Sequence, residues 1–364
     1  MKPVWSEIDT QRLLTLVNSA LHGTNPDESL FVNAEENDWN KLFELSTAQG
    51  IIVLAFNGIM QLPKEMQPPL PVKLRWIASA EAVEKSYLHR LETAKELHSI
   101  FKENNIRMLL FKGVALSRLY PVPASREFGD IDIFLHGKSK EGNAVLERIT
   151  GEKDKYSKKH SSFLFRKVLI ENHHTFLNHN SYMSFQNSRN LEKRLMAMVE
   201  ENGIYPSPDF DALFVTLHTL THLSSRIVLR QLCDLTVIFT AYKGKLNFSL
   251  YQDALEEAGL LKLAGMLISL CTRHLGLNPE YVPSYSSDVL MENRIWNNIL
   301  NPEIPPLPKG DRSLITVFFH KIKLLRSKKW KYELVFPGKY WRSIIYSVFF
   351  HLRYPETIAK SFHL

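Results

Sequence analysis

MLLFKGVALSRLYPVPASREFGDIDIFL, residues 108–135, holds two apolar runs, Met108–Phe111 and Ile131–Leu135, each short enough for a strand buried in a sheet. Between them lie the parts of a phosphate site. Lys112-Gly113 ends the first run, and a glycine there lets the backbone turn sharply and approach a ligand closely. A short helix over Ala115–Leu119 would turn its first amides toward an anion. Tyr120-Pro-Val-Pro123 stops that helix, because proline cannot continue it and also restrains the residue before it. The second run opens Gly129-Asp-Ile-Asp132, and strand alternation puts Asp130 and Asp132 on one face, Ile131 and Ile133 on the other. Two carboxylates roughly 7 Å apart along a strand repel each other unless a cation lies between them. A hard ion such as Mg²⁺ takes one or two carboxylates and completes its shell with water and phosphate oxygens. The alternative is a surface strand with two solvated aspartates; the glycine turn upstream and the alternating isoleucines favour the metal.

Further on, Ser162–Arg166 and Lys167–His173 read as strands. In the second, Val168 and Ile170 face one way and Leu169, Glu171 and His173 the other. An unpaired carboxylate in so apolar a segment is expensive, so Glu171 should have a cation or hydrogen-bond partner and is the candidate third metal carboxylate. The alternative is a solvated glutamate on an edge strand. Lys112 and Arg126 are candidates for phosphate contact, the lysine as a point charge and the arginine as a bidentate fork.

Lys-Gly, a short helix, a Tyr-Pro break, Arg126 and Gly-Asp-Ile-Asp-Ile resemble the nucleotidyltransferase (polymerase-beta-like) superfamily. The likeness is in particular to the bacterial group described as uncharacterised nucleotidyltransferases. It is densest over 108–135 and extends over residues 96–235, where Arg230-Gln-Leu-Cys-Asp234 resembles the group's helical region. The resemblance implies an α+β fold with a small mixed sheet flanked by N-terminal and C-terminal helical regions. It implies Asp130, Asp132 and Glu171 as catalytic and metal-ligating residues, with Mg²⁺ or Mn²⁺ as cofactor. Lys112, Gly113, Ser117 and Arg126 would bind the nucleotide, and His173, Arg230 and Asp234 would support the site from behind. The substrate would be an NTP such as ATP, its NMP group passing to a small molecule, a protein or an RNA. The chain departs from the usual pattern at Val114, which replaces a second Gly or Ser, and in a longer interval from Gly113 to Asp130. Val114 keeps a second class open: a catalytically silent nucleotide- or RNA-binding module, or a helical interaction protein.

The 364 residues suffice for a large core and suggest two or three domains. A hydrophobic fraction of 45% and a charged fraction of 23% are those of a soluble globular protein. Two cysteines, Cys233 and Cys271, exclude a disulfide framework. The segment MKPVWSEIDTQ lacks the apolar core of a signal peptide, and no apolar run approaches the roughly 20 residues a spanning helix needs, so a cytoplasmic location is expected. A net charge of +7 permits a nucleotide or RNA partner and is mild for a dedicated nucleic-acid binder.

Pattern and resemblance together imply an N-terminal helical region (1–95), a core that resembles a nucleotidyltransferase (96–190), a helical domain expected to close its cleft (191–300) and a basic, aromatic extension (301–364). Ser6 with Asp9 makes a capping box for a first helix. The prolines from Pro63 to Pro71 predict a loop, and an amphipathic helix over Val72–Asn104 leads into the first strand. His218 and His222 share one helix face at zinc-ligand spacing, but without the adjacent glutamate of H-E-x-x-H. Arg230 and Asp234, four apart, are expected to pair. After the proline-rich Asn301–Gly310, residues 321–342 hold eight basic residues against one acid, with aromatics interleaved. That strip reads as an amphipathic surface segment or as an RNA contact.

Overall fold

A capping box starts the chain's first described helix. In the computed structural model, which describes residues 5–156, 159–180, 183–199, 203–302 and 314–353, α1 spans Glu7–His22. The Ser6 hydroxyl accepts the Asp9 amide (3.2 Å) while the Asp9 carboxylate accepts the Ser6 amide (3.0 Å). Helices α2 (Glu36–Ala48), α3 (Ile52–Ile59) and α4 (Leu70–Glu103) follow. The last proline of the expected loop, Pro71, sits in the first turn of α4, where its missing N–H costs nothing, so the helix begins two residues before Val72. α3 carries no polar face to announce it; six of its eight residues are buried.

The sheet follows. Its elements are β1 (Leu109–Phe111), α5 (Gly113–Ser117), β2 (Asp130–Phe134), α6 (Ser139–Thr150), β3 (Lys155–Tyr156), β4 (His160–Phe165) and β5 (Val168–His173). Among the described residues the strand order is β1-β2-β5-β4-β3. β1 runs antiparallel to β2, with Leu110 opposite Ile133, and β2 runs parallel to β5, with Asp132 opposite Glu171. The two apolar runs around the phosphate-site stretch are therefore neighbouring strands. β4 and β5 form a hairpin turning on Arg166 and Lys167, both at positive φ (49° and 64°) as in the turns whose twist suits a hairpin.

Strand alternation sorts the residues as expected. On the rear face Leu110, Ile131, Ile133, Phe163, Val168 and Ile170 join one apolar cluster with Ala94, Leu97 and Phe101 of α4. α4 is thus the cover that one face of the sheet requires. On the front face Leu109, Phe111 and Phe134 pack with Phe176 and the C-terminal helices. These are α7 (Ser188–Ala197), α8 (Pro208–Leu223), α9 (Leu229–Ala241), α10 (Phe248–Glu257), α11 (Leu261–His274) and α12 (Val289–Leu300). After them come α13 (Leu314–Ser327), α14 (Lys329–Val335) and α15 (Tyr340–Arg353). The fold is α+β, a small mixed sheet flanked by N-terminal and C-terminal helices. No helix among the described residues is long and apolar enough to cross a membrane. Most of the proline-rich 301–310 connector lies outside the described residues.

One expected surface feature is corrected. Lys331, in the middle of the basic strip, is buried, and its ammonium donates to the Ser225 carbonyl (2.6 Å) and the Asn298 side chain (2.8 Å). It fastens α14 to the helical body and offers nothing to an RNA phosphate.

Candidate active site

The parallel pairing of β2 and β5 brings the three carboxylates together. Asp132 lies opposite Glu171, Asp130 is two residues back on the same face, and each offers an oxygen within 4.8 Å of the others. Oxygen donors this close, from strands on a rigid sheet, suit a hard divalent ion. Their charges show the strain of the arrangement. Burial, and then the neighbouring Asp132, push the Asp130 carboxyl above its ordinary value. Burial would do the same to Asp132, but the Lys112 ammonium at 2.6 Å and His173 Nε2 at 2.8 Å hold it far below the usual carboxylate range. Glu171, half-buried, is also lowered: burial opposes ionisation, but the hydrogen bond from His173 (3.4 Å) and the nearby His160 (3.4 Å) outweigh it.

Lys112 reaches Asp132 through an unusual backbone. The residue stands at φ 53°, ψ −129°, a region L-residues occupy at a cost on the order of 1–3 kcal/mol and one that clusters at functional sites. The sharp turn expected at Gly113 is thus made by the lysine. Gly113 is needed for a different reason: a Cβ there would lie 2.8 Å from the Phe128 ring and 3.2 Å from the Asp130 carbonyl. The helix that follows runs Gly113–Ser117, two residues earlier than the expected Ala115–Leu119, and all five residues are buried. Val114 packs in the rear cluster with Met108, Leu110 and Ile131. The Ser117 hydroxyl, also buried, donates to the Val114 carbonyl (2.8 Å).

Arg126 is spent on the fold. Its guanidinium grips Asp234 of α9 through Nε (2.7 Å) and Nη2 (2.9 Å), and Nη1 donates to the Gly113 carbonyl (3.3 Å). The Tyr120 hydroxyl donates to the same Asp234 carboxylate (2.7 Å). Arg230 donates to the Glu127 carbonyl (2.7 Å), so the expected Arg230–Asp234 pair is replaced by two contacts to the loop before Asp130. Glu127 in turn accepts the Ile52 amide at the start of α3 (2.8 Å). Residues 126–128 therefore bolt the carboxylate strand to α3, α5 and α9.

Three basic groups beside the carboxylates carried no motif. Arg90 of α4 donates to the Gly129 carbonyl (3.2 Å) and lies over the Phe128 ring (5.7 Å). Asp130 lies within its electrostatic reach. Lys159, from the loop entering β4, is brought down to about 8 by burial and by Lys112, against the pull of Asp132 and Glu171. His160 stands opposite His173 across the β4–β5 pair.

His173 itself is buried, edge-on to Phe111 (4.9 Å between ring centroids). Phe111, Phe176, Phe210 and Phe214 form an aromatic floor behind it. One and two turns along α8 from Phe214, His218 and His222 stack edge to face (4.5 Å). Burial, with Lys112 close by, holds both imidazoles neutral, His222 at about 4. They form no three-ligand group among the described residues, so the zinc spacing is structural here.

A family model described as uncharacterised nucleotidyltransferase matches residues 35–276, a span that contains every residue discussed in this site. No curated protein and no solved structure matches the chain.

Proposed function

The chain belongs to the uncharacterised nucleotidyltransferase family, and from that membership we propose that it transfers an NMP group from an NTP to an acceptor hydroxyl or phosphate. The observation that carries this reading is the meeting of Asp130, Asp132 and Glu171 on the front face of one sheet. A divalent ion held there, Mg²⁺ or Mn²⁺, would neutralise charge developing on the α-phosphoryl oxygens.

The chain's own groups divide the remaining work. Asp132 stays ionised because Lys112 and His173 hold it so, and it is a ready ligand at any physiological pH. Asp130 carries the repulsion that a cation would relieve. Glu171, kept ionised by His173, is placed to take the proton from an attacking acceptor hydroxyl as that oxygen bonds to the α-phosphorus and pyrophosphate leaves. Lys112, Lys159 and Arg90 supply positive charge for the phosphates, and Arg126 holds the Gly113 backbone in place behind them. Val114 supports this reading over a silent binding module, since its side chain belongs to the rear core and leaves the front face clear.

Incubating the protein and Mg²⁺ with α-labelled or γ-labelled NTPs and fractionated cell extract tests this. The α label should enter one acceptor fraction with pyrophosphate release, and the γ label should not. Transfer of γ label, or of none, would contradict the proposal. NTP affinity should also fall by about tenfold as pH rises through the region near 8, where Lys159 loses its charge. Lys159→Met should bind weakly at pH 7 and lose that pH dependence; an unchanged titration would remove Lys159 from the phosphate site.

A further inference from the structure

A second set of ligands adjoins the three oxygens. His160 and His173 are directly opposed across the antiparallel β4–β5 pair, so both imidazoles leave the same face of adjacent strands, with centroids 5.1 Å apart. Glu171, two residues before His173, lies between them: Oε1 is 3.4 Å from His160 Nε2 and Oε2 is 3.4 Å from His173 Nε2. One ligand atom from each of the three lies within 4.8 Å of the others.

We propose that His160, Glu171 and His173 bind a first-row transition-metal dication, with Zn²⁺ the best fit, beside the all-oxygen site and sharing Glu171 with it. A tetrahedron with bonds of about 2.1 Å has edges of about 3.4 Å, which matches the two Glu171–His distances of 3.4 Å. Two imidazoles with one carboxylate are a recurrent zinc and iron(II) set with positions left open for water or substrate, and imidazole is a poor ligand for Mg²⁺. The tautomer can follow. In the metal-free protein His173 Nε2 donates to Asp132 (2.8 Å); a proton placed on Nδ1, 3.4 Å from the Thr175 carbonyl, exchanges that bond for one to the Thr175 oxygen and turns the Nε2 lone pair to the metal, while Lys112 (2.6 Å) stays on Asp132. His160 is only partly buried, which gives the ion a route in, while His173 at the back is closed off. The pair of sites is thus asymmetric, one taking a hard ion and one a borderline ion. This assignment rests on ligand placement and does not depend on nucleotidyl transfer being the reaction.

Calorimetric titration of the metal-stripped, full-length protein with Zn²⁺ alone and with Mg²⁺ alone tests it. Replacing His160 by Gln should weaken Zn²⁺ binding at least about tenfold while Mg²⁺ binding stays within about twofold. Asp130→Asn should do the reverse. Co²⁺ bound to the unmodified protein should show the intense visible bands of a four-coordinate, nitrogen-containing site, a readout that needs no variant to fold. Zn²⁺ affinity unchanged in His160→Gln, Zn²⁺ binding lost only in Asp130→Asn, or a weak six-coordinate Co²⁺ spectrum would each overturn the proposal.

Discussion

Replacing Asp130 or Asp132 by Asn is expected to cut nucleotidyl transfer by roughly a thousandfold or more, while shifting the stability of the metal-free protein in opposite directions. The shared loss follows because a bound metal's charge stabilisation is worth several kcal/mol and each 1.36 kcal/mol is about tenfold in rate. The opposite shifts follow from the two carboxyls' surroundings. Asp130 is raised by burial and by Asp132, so its charge costs stability above its unfolded value, and Asn removes that cost at neutral pH. In acid, where the folded carboxyl is already protonated, the gain should vanish. Asp132 is lowered, so its charge contributes stability above its unfolded value, lost only as pH falls through the depressed folded value. Asn there strands the Lys112 ammonium and takes a charged acceptor from His173, a loss on the order of 3–5 kcal/mol for a buried pair. Sequence alone predicts a slight gain for both, because it shows two repelling aspartates and not the lysine and histidine that hold one of them. Thermal denaturation in chelator at two pH values, beside kcat/KM, checks both halves. Full activity in both variants would refute the catalytic assignment, and equal stability shifts would refute the charge assignment.

The second large effect lies behind the site. Asp234→Ala leaves the buried Arg126 guanidinium without its bidentate partner and the Tyr120 hydroxyl without its acceptor, again about 3–5 kcal/mol. Urea denaturation should show a lower midpoint with an unchanged slope. The double change Arg126→Met with Asp234→Leu should recover much of the loss, because it leaves no unpaired buried charge, only the neutral Tyr120 hydroxyl without its acceptor. Were Arg126 instead free for phosphate, Asp234→Ala would cost less than about 1 kcal/mol, as exposed pairs do.

The fold-deciding strands were legible because their signals are local. Apolar runs of strand length, the period-two alternation of Asp130-Ile-Asp132-Ile and the capping box at Ser6 all depend on neighbours in sequence. Glu171 was legible as a charge in an apolar strand that must have a partner. Contacts between distant segments were not. Arg126 and Asp234 are 108 residues apart, and nothing in either segment says that the fork closes on α9 and not on a phosphate. Arg90 sits on the exposed side of a long helix, and Lys159 in a polar loop, where basic residues are ordinarily solvated. Lys112 hid behind its glycine, since a positive φ at a lysine is visible only in the backbone. α3 fell within the expected N-terminal helical region, but with six of its eight residues buried it had no polar stretch to mark it off as a separate helix.

Nucleotide-induced stabilisation with and without Mg²⁺, measured side by side on the unmodified protein and Asp130→Asn, tests the central claim most directly. At roughly 100-fold excess over Kd the unmodified protein should gain about 2.7 kcal/mol from an NTP with Mg²⁺, and much less in chelator or in the variant. A gain that is equal in chelator, or that survives Asp130→Asn undiminished, would contradict a metal-dependent nucleotide site on this sheet.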